Sequence, residues 1–240
     1  MVLRKIKKVL KIMPNKFYRN TLMRYGVAPG LDHEKLLRSI DFNTILDIGA
    51  NKGQFALVGH HIHKNVKIIS FEPLSKPAGI FKKIFDPKKN VKLFNAAIGP
   101  VKQIALMHVS KRIDSSSLLP IGKNQATLFP GTAESHEEEI FVAPLAHFIA
   151  LNDLIRPVFV KIDVQGFELE VIRGCKELIN EFDYIYVECS FIELYKGQAL
   201  ANEVIKELGK YKFRLNGIYN LIYDLSGVAI QGDFLFKKEF

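Results

Sequence analysis

Two short stretches of the chain set acids and glycines at spacings that chemistry can use. In "ILDIGANKGQF", Ile45 to Phe55, an apolar strand-like run ends in Asp47, and Gly49, Asn51 and Gly53 follow at two-residue steps. Gly49 permits a tight turn that a side chain would block, and Gly53 lets the next helix start close to a ligand. A helix N-terminus at that point adds unpaired N–H groups. The pattern is not GxGxxG, because its third glycine is lacking and an acid stands inside the turn. A carboxylate is poorly placed to face a diphosphate, but it suits an ammonium group or hydroxyls. Glu72 ends the next strand-like run, the separation expected of an acid that accepts both hydroxyls of a ribose. Together, Asp47 and Glu72 describe a pocket for an adenosyl amino acid such as S-adenosylmethionine.

The second stretch is "VKIDVQGFELE". Asp163 ends a buried strand, Gly166 allows a close turn after it, and Glu168 opens a helix whose dipole favours an anion. Glu188, in "YVECS", ends the following strand and so stands beside Asp163 on the ligand edge of the sheet. Methyl transfer from a sulfonium needs nucleophile, methyl and sulfur held in line. A hydroxyl nucleophile must also lose its proton, to a carboxylate or His. Asp163 and Glu188 suit either a base with its orienter or oxygen ligands for Mg²⁺. His136 and His147 stand alone and read as surface or packing residues. Phe167, Phe191 and Tyr195 read as pocket wall or core.

The elements that must position these residues alternate. Strands are expected at Thr44–Ile48, Val66–Phe71, Val91–Ile98, Val158–Val164 and Tyr184–Cys189. Helices are expected over Lys52–His63, Pro77–Phe85, Glu168–Cys175 and Ala199–Leu208, with a short one from Asp32 to Ile40. That rhythm predicts a parallel sheet with right-handed crossovers. Lys102–Val109 reads as a further strand, and Tyr211–Asn216 and Asp233–Lys237 as closing strands. Asp114–Glu139, with "DSSSLLP" and the charge run "SHEEE", reads as loop and solvated surface.

The stretches "LDIGANKGQF", "FEP", "NAAIG", "SSSLL", "VKIDVQGFELEVIRG", "IYVECSFIELYKG" and "DFLFKK" resemble the FkbM family of S-adenosylmethionine-dependent methyltransferases, from about Asp41 to the C-terminus. The resemblance implies an α/β, class I methyltransferase (Rossmann-like) fold. Its seven-stranded, mostly parallel sheet carries helices on both faces and has an antiparallel last strand. It implies O-methylation of a saccharide or another hydroxyl-bearing natural product, with a small-molecule or glycan acceptor. It also places Asn95 and Ala96 beside the adenine. Leu145-Ala146 departs from the family, which commonly has Leu-Asp there. That loss of a cap touches local structure rather than chemistry. Two other classes share parts of the pattern. A non-catalytic nucleoside-binding module would not need acids on its acceptor side, and an NAD-linked oxidoreductase lacks support from this turn.

The 240 residues suffice for one α/β domain, and 48% hydrophobic with 25% charged residues is ordinary for a globular protein. Cys175 and Cys189 form no metal or redox motif and read as reduced thiols. With no bilayer-spanning run and no signal-peptide core, a cytoplasmic protein is expected. The net charge is +9, of which residues 1–31 carry +8 with no acid. Leu3, Ile6, Leu10 and Met13 share one helix face, lysines fill the other, and Pro14 should stop the helix. Residues 1–31 thus read as a basic amphipathic arm before a domain at 32–240. Residues 1–24 suit peripheral contact with an anionic membrane, or packing on the domain itself. No nucleic-acid motif follows the arm.

Overall fold

A computed structural model describes residues 10–239. Within them, seven strands form one sheet in the order β3-β2-β1-β7-β8-β10-β9. These are β1 (Thr44–Ile48), β2 (Lys67–Phe71), β3 (Val91–Phe94), β7 (Val158–Ile162), β8 (Tyr184–Ser190), β9 (Phe213–Tyr223) and β10 (Ala229–Lys238). From β3 through β8 all neighbours run parallel, while β10, inserted between β8 and β9, runs antiparallel to both. A second sheet, ordered β4-β6-β5, is built from β4 (Ala97–Ile98), β5 (Gln103–Ser110) and β6 (Glu134–Ala143).

β1 and β7 are apolar nearly throughout because both faces of the sheet are covered. Alternate residues feed two cores. Leu46, Ile48, Val160, Ile162 and Val187 pack towards α6 (Glu168–Gly174) and α7 (Ala201–Lys210). Ile45, Ile68 and Phe159 pack on the other face. There they meet α1 (Lys16–Tyr25), α2 (Glu34–Leu37), α3 (Gln54–Ile62) and α4 (Ser75–Phe85).

Several expectations change. The stretch Val91–Ile98 is two strands, because the chain leaves the main sheet after Phe94 and Ala97 pairs with Val142 of β6. Asp114–Glu139 is not simply loop. It holds a short helix, α5 (Lys123–Leu128), and its glutamates begin β6, where Glu137 pairs with His108 across an antiparallel ladder. The charge run does face solvent, so the strand carried no apolar alternation to betray it. The closing strands are longer than expected and form one hairpin.

In the arm, Leu3 and Ile6 lie outside the described residues. Leu10 and Met13 are exposed, whereas Ile12, Tyr18 and Val27 are buried in the core beneath α3 and α4. Residues 12–27 are thus packed on the main sheet's helices. Among the described residues no helix is long and apolar enough to cross a membrane.

Candidate active site

The strands β1, β2 and β7 end at one edge of the sheet, and a cleft of about 960 Å³, mouth included, opens there. The turn after β1 supplies Gly49, Ala50 and Asn51; the ends of β2 and β3 supply Glu72 and Ala96; the end of β7 supplies Asp163 and Gln165. Apolar wall comes from Leu74, Met107, Ile113 and Phe167. A switch point between strands is where open α/β sheets bind ligands.

Gly49 and Asn51 both have positive φ, +80° and +47°. A Cβ on Gly49 would stand 1.9 Å from the Asp163 carbonyl oxygen, so only glycine lets the turn lie against the end of β7. Glu72 is buried at the cleft wall, where its two oxygens accept from the backbone N–H groups of Asn51 (2.8 Å) and Leu74 (2.9 Å). Burial outweighs those bonds and pushes its pKa up to about 7. Asn51 Oδ1 and Gln54 Oε1 are buried in the same wall and have no hydrogen-bond partner among the described residues. Two orphaned acceptors and a carboxylate with spare lone pairs fit a ligand that brings hydroxyl or ammonium donors.

Other expected contacts turn out to be supports. Asp47 is fully buried under the turn and is not in the cleft wall. It faces Lys161, its register partner on β7, at 3.4 Å. Lys161 Nζ also donates to the Gly49 carbonyl (2.7 Å) and lies 3.6 Å from Asp163 Oδ2. Burial works against the lysine's charge, but Asp163 and Asp47 outweigh it and raise its pKa. Gly53 lies outside the wall as well. A Cβ there would meet the Phe85 and Phe81 rings at 2.7 and 2.9 Å, so this glycine serves the packing of α4. Asn95 donates to the Glu72 and Pro73 carbonyls (2.9 and 2.7 Å) and pins the end of β2, leaving Ala96 in the wall.

The catalytic expectations divide in the same way. Glu168 is buried, and its Oε1 accepts from the N–H groups of Gly166 (2.9 Å) and Val164 (3.3 Å), so it caps its own turn rather than facing the cleft. Burial pushes its pKa up to about 7. Glu188 and Asp163 do come together, but through Gln165. Its Nε2 donates to Asp163 Oδ1 (2.7 Å) and Glu188 Oε2 (2.8 Å), and its Oε1 accepts from the Tyr195 hydroxyl (2.8 Å). Glu188 also accepts from Gln231 (2.8 Å) and stays out of the cleft wall, while Asp163 is part-exposed in it. An amide nitrogen stands where a cation would bridge the two acids, so the residues present do not fit Mg²⁺. Among the described residues, the His/carboxylate group close enough to share a metal is His108, Glu134 and Glu137, on the second sheet.

Residues 47–215 match the methyltransferase FkbM domain. The chain belongs to that family. The 2-O-methyltransferase NoeI of Sinorhizobium fredii is 26% identical over 174 residues, which cover 70% of this chain and 72% of that one. Among solved structures, TehB from Haemophilus influenzae superposes with a TM-score of 0.50 at 11% identity, over 93% of this chain and 68% of that one. That likeness speaks for the class I methyltransferase fold alone. Within this FkbM methyltransferase, Gly49, Asn51, Glu72, Ala96 and Asp163 are the expected site residues that reach the cleft. Sequence reading missed Lys161, Gln165 and His33. The signal for Lys161 was available: a lysine inside the otherwise apolar run Val158–Ile162.

Proposed function

We propose that this methyltransferase takes its methyl group from S-adenosylmethionine and delivers it to a hydroxyl of a saccharide or another natural product. The buried Glu72 carboxylate, beside two orphaned acceptors, carries the cofactor reading. Glu72 would hold the ribose hydroxyls, Ala96, Leu74 and Met107 the adenine, and the Gly49–Asn51 turn with Gln54 the amino-acid part. When bound, the cofactor supplies an activated methyl on a good leaving group. Asp163, held by Lys161 and Gln165, orients what enters beside it. Asp114, Ser116 and Leu118 line the far wall and would shape the acceptor site. The similarity to the 2-O-methyltransferase NoeI supports oxygen as the methylated atom.

The test is a thermal-shift titration with S-adenosylmethionine, S-adenosylhomocysteine and NAD. A ligand at about a hundred times its Kd should stabilise by about 2.7 kcal/mol. Both adenosyl ligands are expected to do so, and Glu72→Ala to abolish it. Stabilisation by NAD alone would replace this reading with a dinucleotide one.

A pH dependence follows from the same residue. The ribose hydroxyls donate to the ionised form of Glu72, whose pKa burial has pushed up to about 7. Affinity for S-adenosylhomocysteine should therefore be highest above pH 7 and fall by about tenfold per unit below it. Calorimetry between pH 5.5 and 8 reads this directly. The same burial makes the ligand-free protein take up a proton on folding between about 4.5 and 7, so that contribution to stability is lost as pH rises through the window.

Exposed Leu10 and Met13 beside Lys11 and Lys16 support a peripheral role for the arm at an anionic membrane. Because Ile12 and Tyr18 are core residues, the informative truncation removes only residues 1–9 and also carries Leu10→Ser, Met13→Ser and Lys16→Gln at exposed positions. Co-sedimentation with phosphatidylserine vesicles should fall on truncation, and equal binding of both forms would sink the idea.

A further inference from the structure

His33 is the histidine that lines the cleft, and it comes from the turn Leu31–His33, upstream of the segment that matches the family. Its ring packs edge-on against Phe55 and Tyr186, at centroid distances of 5.3 and 5.6 Å, which fixes its plane. Its Nδ1 lies 3.2 Å from the Tyr186 hydroxyl and 3.7 Å from Asp233 Oδ2. Tyr186 in turn donates to Asp233 Oδ2 at 2.9 Å, and Asn220 Nδ2 donates to the same oxygen at 2.7 Å. Asn220 Nδ2 also lies 3.3 Å from the Tyr186 oxygen and 3.4 Å from His33 Nδ1, but its short bond is the one to Asp233. With the tyrosine's proton on Asp233, the Tyr186 oxygen at 3.2 Å is the nearer partner of His33 Nδ1 and accepts from it. That places the imidazole proton on Nδ1 and the lone pair on Nε2. Among the described residues Nε2 has no hydrogen-bond partner.

We propose that His33 is the catalytic base of methyl transfer, with Tyr186 and Asp233 as the positioning residues that hold its tautomer. The proposal rests on the S-adenosylmethionine reading above. The acceptor O–H bond breaks as the new O–CH₃ bond forms. The proton passes to His33 Nε2, and the electron pair of the S–CH₃ bond stays on the leaving thioether. The imidazolium so formed is stabilised through Tyr186 by the Asp233 carboxylate. Of the other acids in the wall near the acceptor end, Asp163 has its oxygens engaged by Lys161 and Gln165, and Asp114 faces Arg112 at 3.4 Å. Burial lowers the His33 pKa despite Asp233 and Asp163, with Lys161 acting in the same direction as burial and Asp32 against it. The ring is therefore neutral, and able to accept a proton, at neutral pH.

A test that needs no acceptor compares two ligands that differ by one methyl and one positive charge. Protein labelled with ¹³C-histidine gives seven imidazole signals, and His33→Gln identifies the one from His33. Each signal is titrated with pH in the free protein and with saturating S-adenosylmethionine or S-adenosylhomocysteine. A base within reach of the reacting centre faces the sulfonium, so the His33 midpoint should be lower by about 1 pH unit in the S-adenosylmethionine complex. The other six signals should not distinguish the ligands. Asp233→Asn should lower the His33 midpoint further in the free protein. Equal His33 midpoints in the two complexes, with both ligands bound by calorimetry, would overturn the proposal and leave the cofactor reading intact. Failure of both ligands to bind would remove the cofactor reading and this proposal with it.

Discussion

Lys161→Met is expected to destabilise the protein by about 3–5 kcal/mol at neutral pH, the range for removing one partner of a buried ion pair. Lys161 is nearly buried and stands against Asp47, which is fully buried. Methionine fills much of the same volume, so the loss is electrostatic rather than a cavity. Burial, its largest influence, already raises the Asp47 pKa even with the lysine present. Without it, Asp47 must either bury a bare charge or take up a proton. A carboxylate whose folded pKa lies above its unfolded value stabilises the folded state at low pH and loses that contribution as pH rises. The cost of Lys161→Met should therefore be smaller at pH 5 than at pH 8. Urea denaturation at both values measures it. Adding Asp47→Asn should recover a good part of the loss at pH 8 and flatten the pH dependence. A cost that is the same at both pH values would mean that Lys161 does not answer to Asp47.

That pair also shows what the sequence could and could not disclose. The alternation of strands and helices, the turn after β1 and the acid ending β2 are local patterns, and the structure carries them. Asp47, Gly53, Asn95 and Glu168 are required by the fold as surely as Glu72 is, but by different neighbours. A sequence shows that a position wants an acid or no side chain; it does not show what presses on that position. For Gly53 the presser is the Phe81–Phe85 pair on α4, and for Asp47 it is a lysine six strands later in the sequence but adjacent in the sheet. Glu168 turns back on its own loop instead of outward. His33 left no local signal at all, because Tyr186 and Asp233, which give the ring its role, come from β8 and β10. The strand Glu134–Ala143 stayed hidden for another reason. Its charged half meets water, so pairing with β5 rather than apolar burial holds it extended.

Gly49→Ala is expected to cost more than about 4 kcal/mol and to abolish adenosyl-ligand binding, in the class of large effects that arise from strain at a special backbone position. Two contributions add. The first is conformational: a φ of +80° disfavours any side chain, by about 1–3 kcal/mol. The second is steric. The new Cβ would stand 1.9 Å from the Asp163 carbonyl oxygen and 2.9 Å from its carbonyl carbon. Those are backbone atoms, so no rotamer change relieves the contact, and either the turn or the end of β7 must move. Gly197→Ala separates the contributions. Gly197 has a φ of +76°, yet nothing lies within 4 Å of the Cβ it would gain. It should lose only the conformational part, about 1–2 kcal/mol. The difference between the two variants, read by urea denaturation under one condition, isolates the close approach of the turn to β7. The same approach lets Lys161 reach the Gly49 carbonyl and holds Asp163 beside the turn. Moving either strand end therefore separates Glu72 and Asn51 from Asp163, and stability and ligand binding should fail together. If Gly49→Ala costs no more than Gly197→Ala, the turn does not lie against β7, and the cleft lacks the wall on which the cofactor reading depends.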